Sequence, residues 1–170
     1  MKSKTVLLWA IALFLIDQTI KIVIDRYFLD VRFDIIPSLF YFKPSFNHNY
    51  SYINGLFGLG LGFWTHIIFM CIVAILLIVI YYLFKTISGN AKLVNIAFIF
   101  GFAGLMSSLI GTVLWDGCLD YIFLKPLFVF DLKDLYLNAF AILFLFYYHK
   151  NRKYLASIKG KDIIHHFRNK

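Results

Sequence analysis

Glutamate is absent from the 170 residues: the nine acidic side chains are all aspartates, and charged residues make up only 15% of the chain. A soluble domain carries about a quarter charged residues, so a cytosolic globular enzyme and a disordered tail are both excluded. There is no HExxH metal helix, no GxSxG elbow, no glycine-rich phosphate loop and no Ser/Lys pair at a recognisable spacing. Only two cysteines occur, Cys71 and Cys118. They sit in or beside apolar runs without a CxxC or Cys/His pattern, which excludes a disulfide scaffold and a zinc site. What the chain does have is apolar surface: 61% of residues are hydrophobic and 20% aromatic, with a mean hydropathy of +0.77. That balance defines an integral membrane protein of one small domain, residues 1–170.

Four apolar runs of spanning length cover about residues 6–24, 63–84, 93–115 and 127–148. At 1.5 Å rise per residue each reaches roughly 30 Å, the thickness of a bilayer's hydrocarbon core. The expected fold is therefore an all-α membrane protein with four transmembrane helices. Lys2 and Lys4 precede the first run as they would in a signal peptide, but Asp17-Gln18-Thr19-Ile20-Lys21 stands where small residues of a cleavage site belong, so the helix is expected to be retained. Between the first two runs, Phe28, Val31, Phe33 and Ile35 partly alternate with polar residues, and Leu39 to Phe42 is continuously apolar. This pattern predicts short strands, a small β-containing cradle between helices one and two. Gly55, Gly58, Gly60 and Gly62 then interleave with apolar residues in a stretch able to bend and lie on the membrane.

The net charge of +8 has a membrane explanation. With the N-terminus cytoplasmic, that side holds eleven of the seventeen cations and one acid, Asp162, for +10, and the other side holds six cations and eight aspartates, for −2. This asymmetry is what the positive-inside rule demands, and it needs no nucleic acid. Both termini are expected on the cytoplasmic side, with residues 149–170 a basic tail held by anionic lipid headgroups. His66 reads as a packed histidine, and the adjacent His165 and His166 would diverge on a helix and do not form a metal pair.

The aspartates are the more informative group. Asp17, Asp25, Asp30, Asp34, Asp116, Asp120, Asp131 and Asp134 all fall at or beyond the outer ends of the runs. A carboxylate inside a span costs about 2.5 to 3.5 kcal/mol on insertion scales, so packing alone is a poor reason to keep one there. Asp120 lies just past the third run and Asp134 enters the fourth, so a short connection brings both to one membrane face. Two carboxylates that meet in a partly desolvated place share one proton: the ionised one can take a proton from water as it attacks a peptide carbonyl, and the protonated one polarises that carbonyl. No metal or other cofactor is needed. The bland alternative for Asp134 is a favourable charge near a helix N-terminus. Asp17 and Lys21, four residues apart, read either as a structural ion pair or as a substrate contact, and Asn47 either as a turn residue or as a donor to substrate near the carboxylates.

These residues also carry a family resemblance. Asp17-Gln18-Thr19-Ile20-Lys21 resembles the D-Q-x-x-K of lipoprotein signal peptidase (signal peptidase II), and Pro37 followed ten residues later by Asn47 resembles its outer loop. Asp120-Tyr121-Ile122 is similar to the family's V-x-D-F, and Phe130-Asp131-Leu132-Lys133-Asp134 to its F-N-x-A-D. The resemblance implies an aspartic endopeptidase with Asp120 and Asp134 as catalytic pair and Asn47, Asp17 and Lys21 on the binding side. Its substrates would be prolipoprotein signal peptides bearing a diacylglyceryl cysteine, cleaved by a monomer in contact with membrane lipids, and a sheet cradle with a surface helix would close over them. The family's G-N-x-x-D-R reads Ser107 to Thr112 here, and its N-x-G-x-A-F reads Asn47 to Tyr52. A second reading therefore stays open, a catalytically impaired paralogue that binds lipoproteins or acts as a membrane scaffold. A small transporter is disfavoured because helix two is nearly free of polar groups.

Overall fold

The computed structural model describes residues 1–48, 54, 57–60, 62–87, 91–115 and 117–157. Asp116, Gly55, His165, His166 and most of the basic tail lie outside the described residues. Four long helices and four strands follow one another as α1 (Ser3–Tyr27), β1 (Phe33–Ile36), β2 (Phe40–Asn47), α2 (Phe63–Ile87), α3 (Ala91–Trp115), β3 (Cys118–Leu124), β4 (Phe128–Phe130) and α4 (Leu132–Ser157).

The helices turn the usual inside-outside rule around. On α1 the buried positions Val6, Ala10, Asp17, Gln18, Lys21 and Ile24 recur at helical spacing on one face, and the exposed side carries Leu7, Leu8, Trp9, Leu15, Ile16, Ile22 and Val23. An exposed belt of large apolar side chains on a polar interior face suits hydrocarbon surroundings, not water. Three helices, α1, α2 and α3, are long and apolar enough to cross a membrane. In α4 the stretch free of Asp, Lys and Arg is shorter, from Leu135 to His149, with Lys133 and Asp134 at one end and Lys150, Arg152 and Lys153 at the other.

Helix α3 is the centre of the bundle and packs against α1, α2 and α4. Its contact with α4 is close because two glycines face it. A Cβ on Gly104 would stand 2.7 Å from Leu137 Cγ and 3.2 Å from the Lys133 carbonyl, and one on Gly101 would touch the Phe140 ring at 3.0 Å. Small residues at such crossings let backbones approach and gain dispersion contact, the main attraction left where lipid is as apolar as the helix. Towards the end of the bundle away from the strands, Phe98, Phe140 and Phe144 with Tyr81 and Phe84 form an aromatic cluster that ties in α2.

The strands form one antiparallel sheet in the order β1-β2-β3-β4. The cradle expected between helices one and two is therefore only half of the sheet; β3 and β4 come from the connection between α3 and α4. The fourth apolar run also divides: Phe128–Phe130 is strand, and the helix begins at Leu132 rather than at residue 127. Two causes account for these differences. Cys118–Leu124 is apolar at all positions but Asp120, so it has little period-two signal to announce a strand. Asp131 then stops β4 and caps the helix: the Asp134 N–H donates to Asp131 Oδ1 at 3.2 Å and the Asp131 N–H donates to Asp134 Oδ2 at 3.1 Å. That reciprocal pair is a capping box built from two aspartates.

One irregularity sets the register around the site. Phe42 pairs with Ile122, but the next pairs are Ser45 with Asp120 and Asn47 with Cys118, so β2 carries an extra residue between Phe42 and Ser45. The buried Pro44 lies in this bulge, where its missing N–H does not interrupt a ladder bond. Because strand side chains alternate between faces, an extra residue flips every later one. Without the bulge Phe46 would occupy the face that Asn47 now shares with Asp120.

Candidate active site

The site lies where the sheet meets the near ends of α1, α3 and α4. Asp120 comes from β3 and is 4% exposed. The β3–β4 hairpin, with Ile122 paired to Phe130, returns the chain so that the start of α4 falls beside Asp120. One carboxylate oxygen each from Asp120, Asp131 and Asp134 lies within 4.8 Å of the others. The structure thus brings together the two residues expected to meet, Asp120 and Asp134, and adds Asp131, which is fully buried.

Lys133 occupies the middle of this cluster. Its Nζ is 3.0 Å from Asp120 Oδ1, 2.9 Å from Asp131 Oδ1 and 3.5 Å from Asp134 Oδ1. Three carboxylates at this spacing are also a set that could hold a metal ion, but the ammonium already stands against all three. The second oxygen of Asp120 accepts a hydrogen bond from Asn47 Nδ2 at 3.2 Å, which the bulge in β2 makes possible. Asp134 is the most open of the three carboxylates, with 36% of its side chain exposed.

Asp17 and Lys21 sit behind this group with no exposed side-chain surface. Lys21 Nζ contacts Asp17 Oδ2 at 3.0 Å and Asp131 Oδ2 at 2.6 Å, and Gln18 donates to Asp17 at 3.0 Å. Signs therefore alternate along one buried chain: Asp17, Lys21, Asp131, Lys133, then the pair Asp120 and Asp134.

Burial pushes the Asp120 carboxyl above its ordinary range; Lys133 and the Asn47 amide pull it back, and Asp131 adds to the rise. A buried carboxylic acid at this position holds its proton more readily than a free aspartate. Burial also raises the neighbouring Cys118 thiol to about 11. A thiol held protonated is a poor nucleophile, so Cys118 is a packing residue, 3.6 Å from where a Gly111 side chain would begin. The stretch Ser107 to Thr112 lines the adjoining part of α3, with Ser107 and Thr112 fully buried and uncharged.

The sequence reading did not single out Asp131 or Lys133 as site residues. The signal was present in Asp131-Leu132-Lys133-Asp134: an aspartate three residues before another, at the start of an apolar helical run, is a cap. A lysine between them would need compensation once buried.

A mostly helical membrane protein, with a small sheet closing one end and acidic residues at their junction, is the class that fold and site define. Two solved structures share this fold, each described as a bacterial membrane enzyme structure by the in meso method. The one at 2.3 Å resolution is 19% identical, with a TM-score of 0.67, covering 92% of this chain and 94% of that one. The one at 1.9 Å is 21% identical, with a TM-score of 0.66, covering 84% and 91%. A search of curated proteins finds no match. The sequence profile of Signal peptidase (SPase) II matches residues 9–150. The chain belongs to the signal peptidase II family. Membership supports a peptidase of a bacterial membrane that processes lipoprotein signal peptides.

Proposed function

We propose that this protein is an aspartic endopeptidase that removes signal peptides from lipid-modified prolipoproteins, with Asp120 and Asp134 as the catalytic pair. The observation that carries this reading is the convergence of two carboxylates from separate elements, one buried and one open, at the rim of a lipid-facing bundle. The pair holds one proton. Its ionised member draws a proton from water, whose oxygen bonds to the scissile carbonyl carbon. The protonated member donates to the carbonyl oxygen as negative charge grows there. When the tetrahedral species collapses, the carbon–nitrogen bond breaks and a proton passes to the departing amine, leaving carboxylic acid and amine as products. Asp134, the more exposed, is suited to meet water, and Asp120, shut away from solvent, to keep the proton. Asn47 steadies Asp120 and is placed to reach substrate backbone.

Helix α4 completes the membrane bundle as the fourth span in this reading, because its charges at the outer end are paired and those at the other end reach the basic cytoplasmic side. Both termini then share that side. The substrate approaches laterally, its apolar signal helix and diacylglyceryl chains staying in lipid, and a monomer suffices. Of the two readings of Asp17 and Lys21, their complete burial favours the ion pair.

Cleavage of a diacylated lipobox peptide by the purified protein tests the proposal. Asp120→Asn and Asp134→Asn should each lower the rate by about 100- to 10,000-fold, the usual worth of a positioned acid or base, with the protein still inserted and folded. Full activity in either variant refutes the assignment. A lysine within the pair and an uncharged Ser107 to Thr112 stretch favour the second reading, an impaired paralogue that binds lipoproteins or acts as a membrane scaffold. That reading predicts no cleavage but a higher Tm with lipidated precursor.

A further inference from the structure

A buried ammonium with three protons faces three carboxylates in this site, and that match carries an assignment. We propose that Lys133 is a positioning residue that governs the protonation of the Asp120–Asp134 pair, its fixed positive charge lowering the pH at which the pair takes up its shared proton. The inference deepens the peptidase reading and takes its catalytic meaning from it, while its physical content concerns the carboxylates alone.

Two carboxylates in a desolvated place cannot both ionise cheaply, so one pKa of the pair rises. An opposite charge within hydrogen-bonding distance of both works against that rise. Lys133 is so placed, and it cannot swing away without abandoning Asp131, at 2.9 Å, which is itself fixed by Lys21 at 2.6 Å. The charged and titratable groups that face Lys133 are few. They are Asp120 and Cys118 on β3, Asp131 at the β4–α4 junction, Asp134 on α4 and, one step further, Lys21 with Asp17 on α1. Asn47 on β2 contributes a neutral amide to Asp120. Helix α3 passes beside the lysine backbone at Gly104 and has no charged residue from Leu93 to Trp115. Lys133 is thus the cation in direct contact with the pair among the described residues, and Asp131 is its competitor for that charge.

The competition gives two variants of opposite sign. Lys133→Met keeps the length of the side chain and removes its charge. Asp131→Asn removes the competing carboxylate and leaves the lysine to the pair, and asparagine still caps α4. Infrared titration of the carboxyl band, on the purified intact protein without substrate, reads the protonation directly, and the pH profile of peptide cleavage is measured beside it. In Lys133→Met the titration and the acid limb of cleavage move up by about 1 to 3 pH units, the effect of losing an adjacent opposite charge. In Asp131→Asn they move down, and Lys133→Arg leaves them near the wild-type position. An unmoved titration in Lys133→Met, or an upward shift in Asp131→Asn, overturns the proposal. Should Lys133→Met fail to fold, Asp131→Asn decides by its sign alone. If the titrations shift as expected but wild-type protein cleaves no lipidated peptide at any pH, the peptidase reading falls and the role of Lys133 in protonation stands. If peptide is cleaved but the titrations stay put, the reverse holds.

Discussion

Replacing Lys21 with methionine isolates the energetic cost of the buried charges behind the site. The substitution nearly preserves side-chain volume, so packing changes little and charge changes by one. In the wild type the ammonium lies 3.0 Å from Asp17 and 2.6 Å from Asp131, with all three side chains at 0% exposure. Removing one partner of a buried pair typically costs about 3 to 5 kcal/mol because the remaining charge is left uncompensated. Asp131 retains Lys133 at 2.9 Å, whereas Asp17 keeps, among the described residues, the amide of Gln18, which places the expected loss near the lower end, about 3 kcal/mol. For a chain of this size each kcal/mol corresponds to about 2 to 4 °C in Tm, hence a drop of roughly 6 to 12 °C. The double variant Asp17→Asn with Lys21→Met removes charge from both members and should be more stable than the sum of the two single losses by at least about 1 kcal/mol, within the range of coupled neighbours. Denaturant unfolding in detergent micelles, followed by far-ultraviolet circular dichroism, supplies all four corners of the cycle. A Lys21→Met loss under about 1 kcal/mol, or strictly additive single losses, would refute the view that these charges form one interdependent chain.

Three further outcomes follow from the geometry. Because burial raises the Asp120 carboxyl above its unfolded value, the folded state binds more protons between those two values, and the associated stability is complete below the unfolded pKa and lost as pH rises through the folded one. Asp120→Asn should therefore gain stability relative to wild type at neutral pH compared with pH 3, read as the difference in Tm at the two pH values; an equal offset at both would count against it. Asn47→Leu removes the amide that donates to Asp120 at 3.2 Å, so peptide cleavage should fall although the helices remain inserted, as followed by activity alongside circular dichroism; unchanged cleavage would count against a role for that hydrogen bond. Gly104→Val forces a branched side chain into the 2.7 Å approach to Leu137 and should cost about 1 to 3 kcal/mol; a variant as stable as wild type in thermal unfolding would mean that α3 and α4 are not in close contact there.

Much of this architecture is legible in the sequence because hydrocarbon surroundings impose a coarse rule. Long apolar runs such as Phe63 to Phe84 have few alternatives to a helix, and the observed Phe63–Ile87 exceeds that run only at its C-terminal end. Strands β1 and β2 announce themselves by alternation and by the run from Leu39 to Phe42. Strand β3 does not, since Cys118, Leu119, Tyr121, Ile122, Phe123 and Leu124 make both of its faces apolar. The meeting of Asp120 and Asp134 follows from connectivity, which sequence supplies. The place of Lys133 depends on a hairpin register and on a cap, Asp131, that starts the helix at Leu132, five residues later than hydropathy alone suggests. The pairing of Lys21 with Asp131 spans more than a hundred residues, and no local pattern encodes it.

The sheet that closes one end of the bundle is stitched from two connections, β1 and β2 from the first and β3 and β4 from the second. During synthesis the amino-terminal half therefore waits with an unpaired strand edge, since β2 has no inner neighbour until β3 has been made. Such edges invite wrong partners, and non-local pairings form late. The two halves, divided between α2 and α3, should reassociate when expressed as separate fragments, and hydrolytic competence would arise only upon that reunion. A half-built molecule that ends before β3 holds neither Asp120 nor Asp134, so on the proposed reading it could not cut a passing chain.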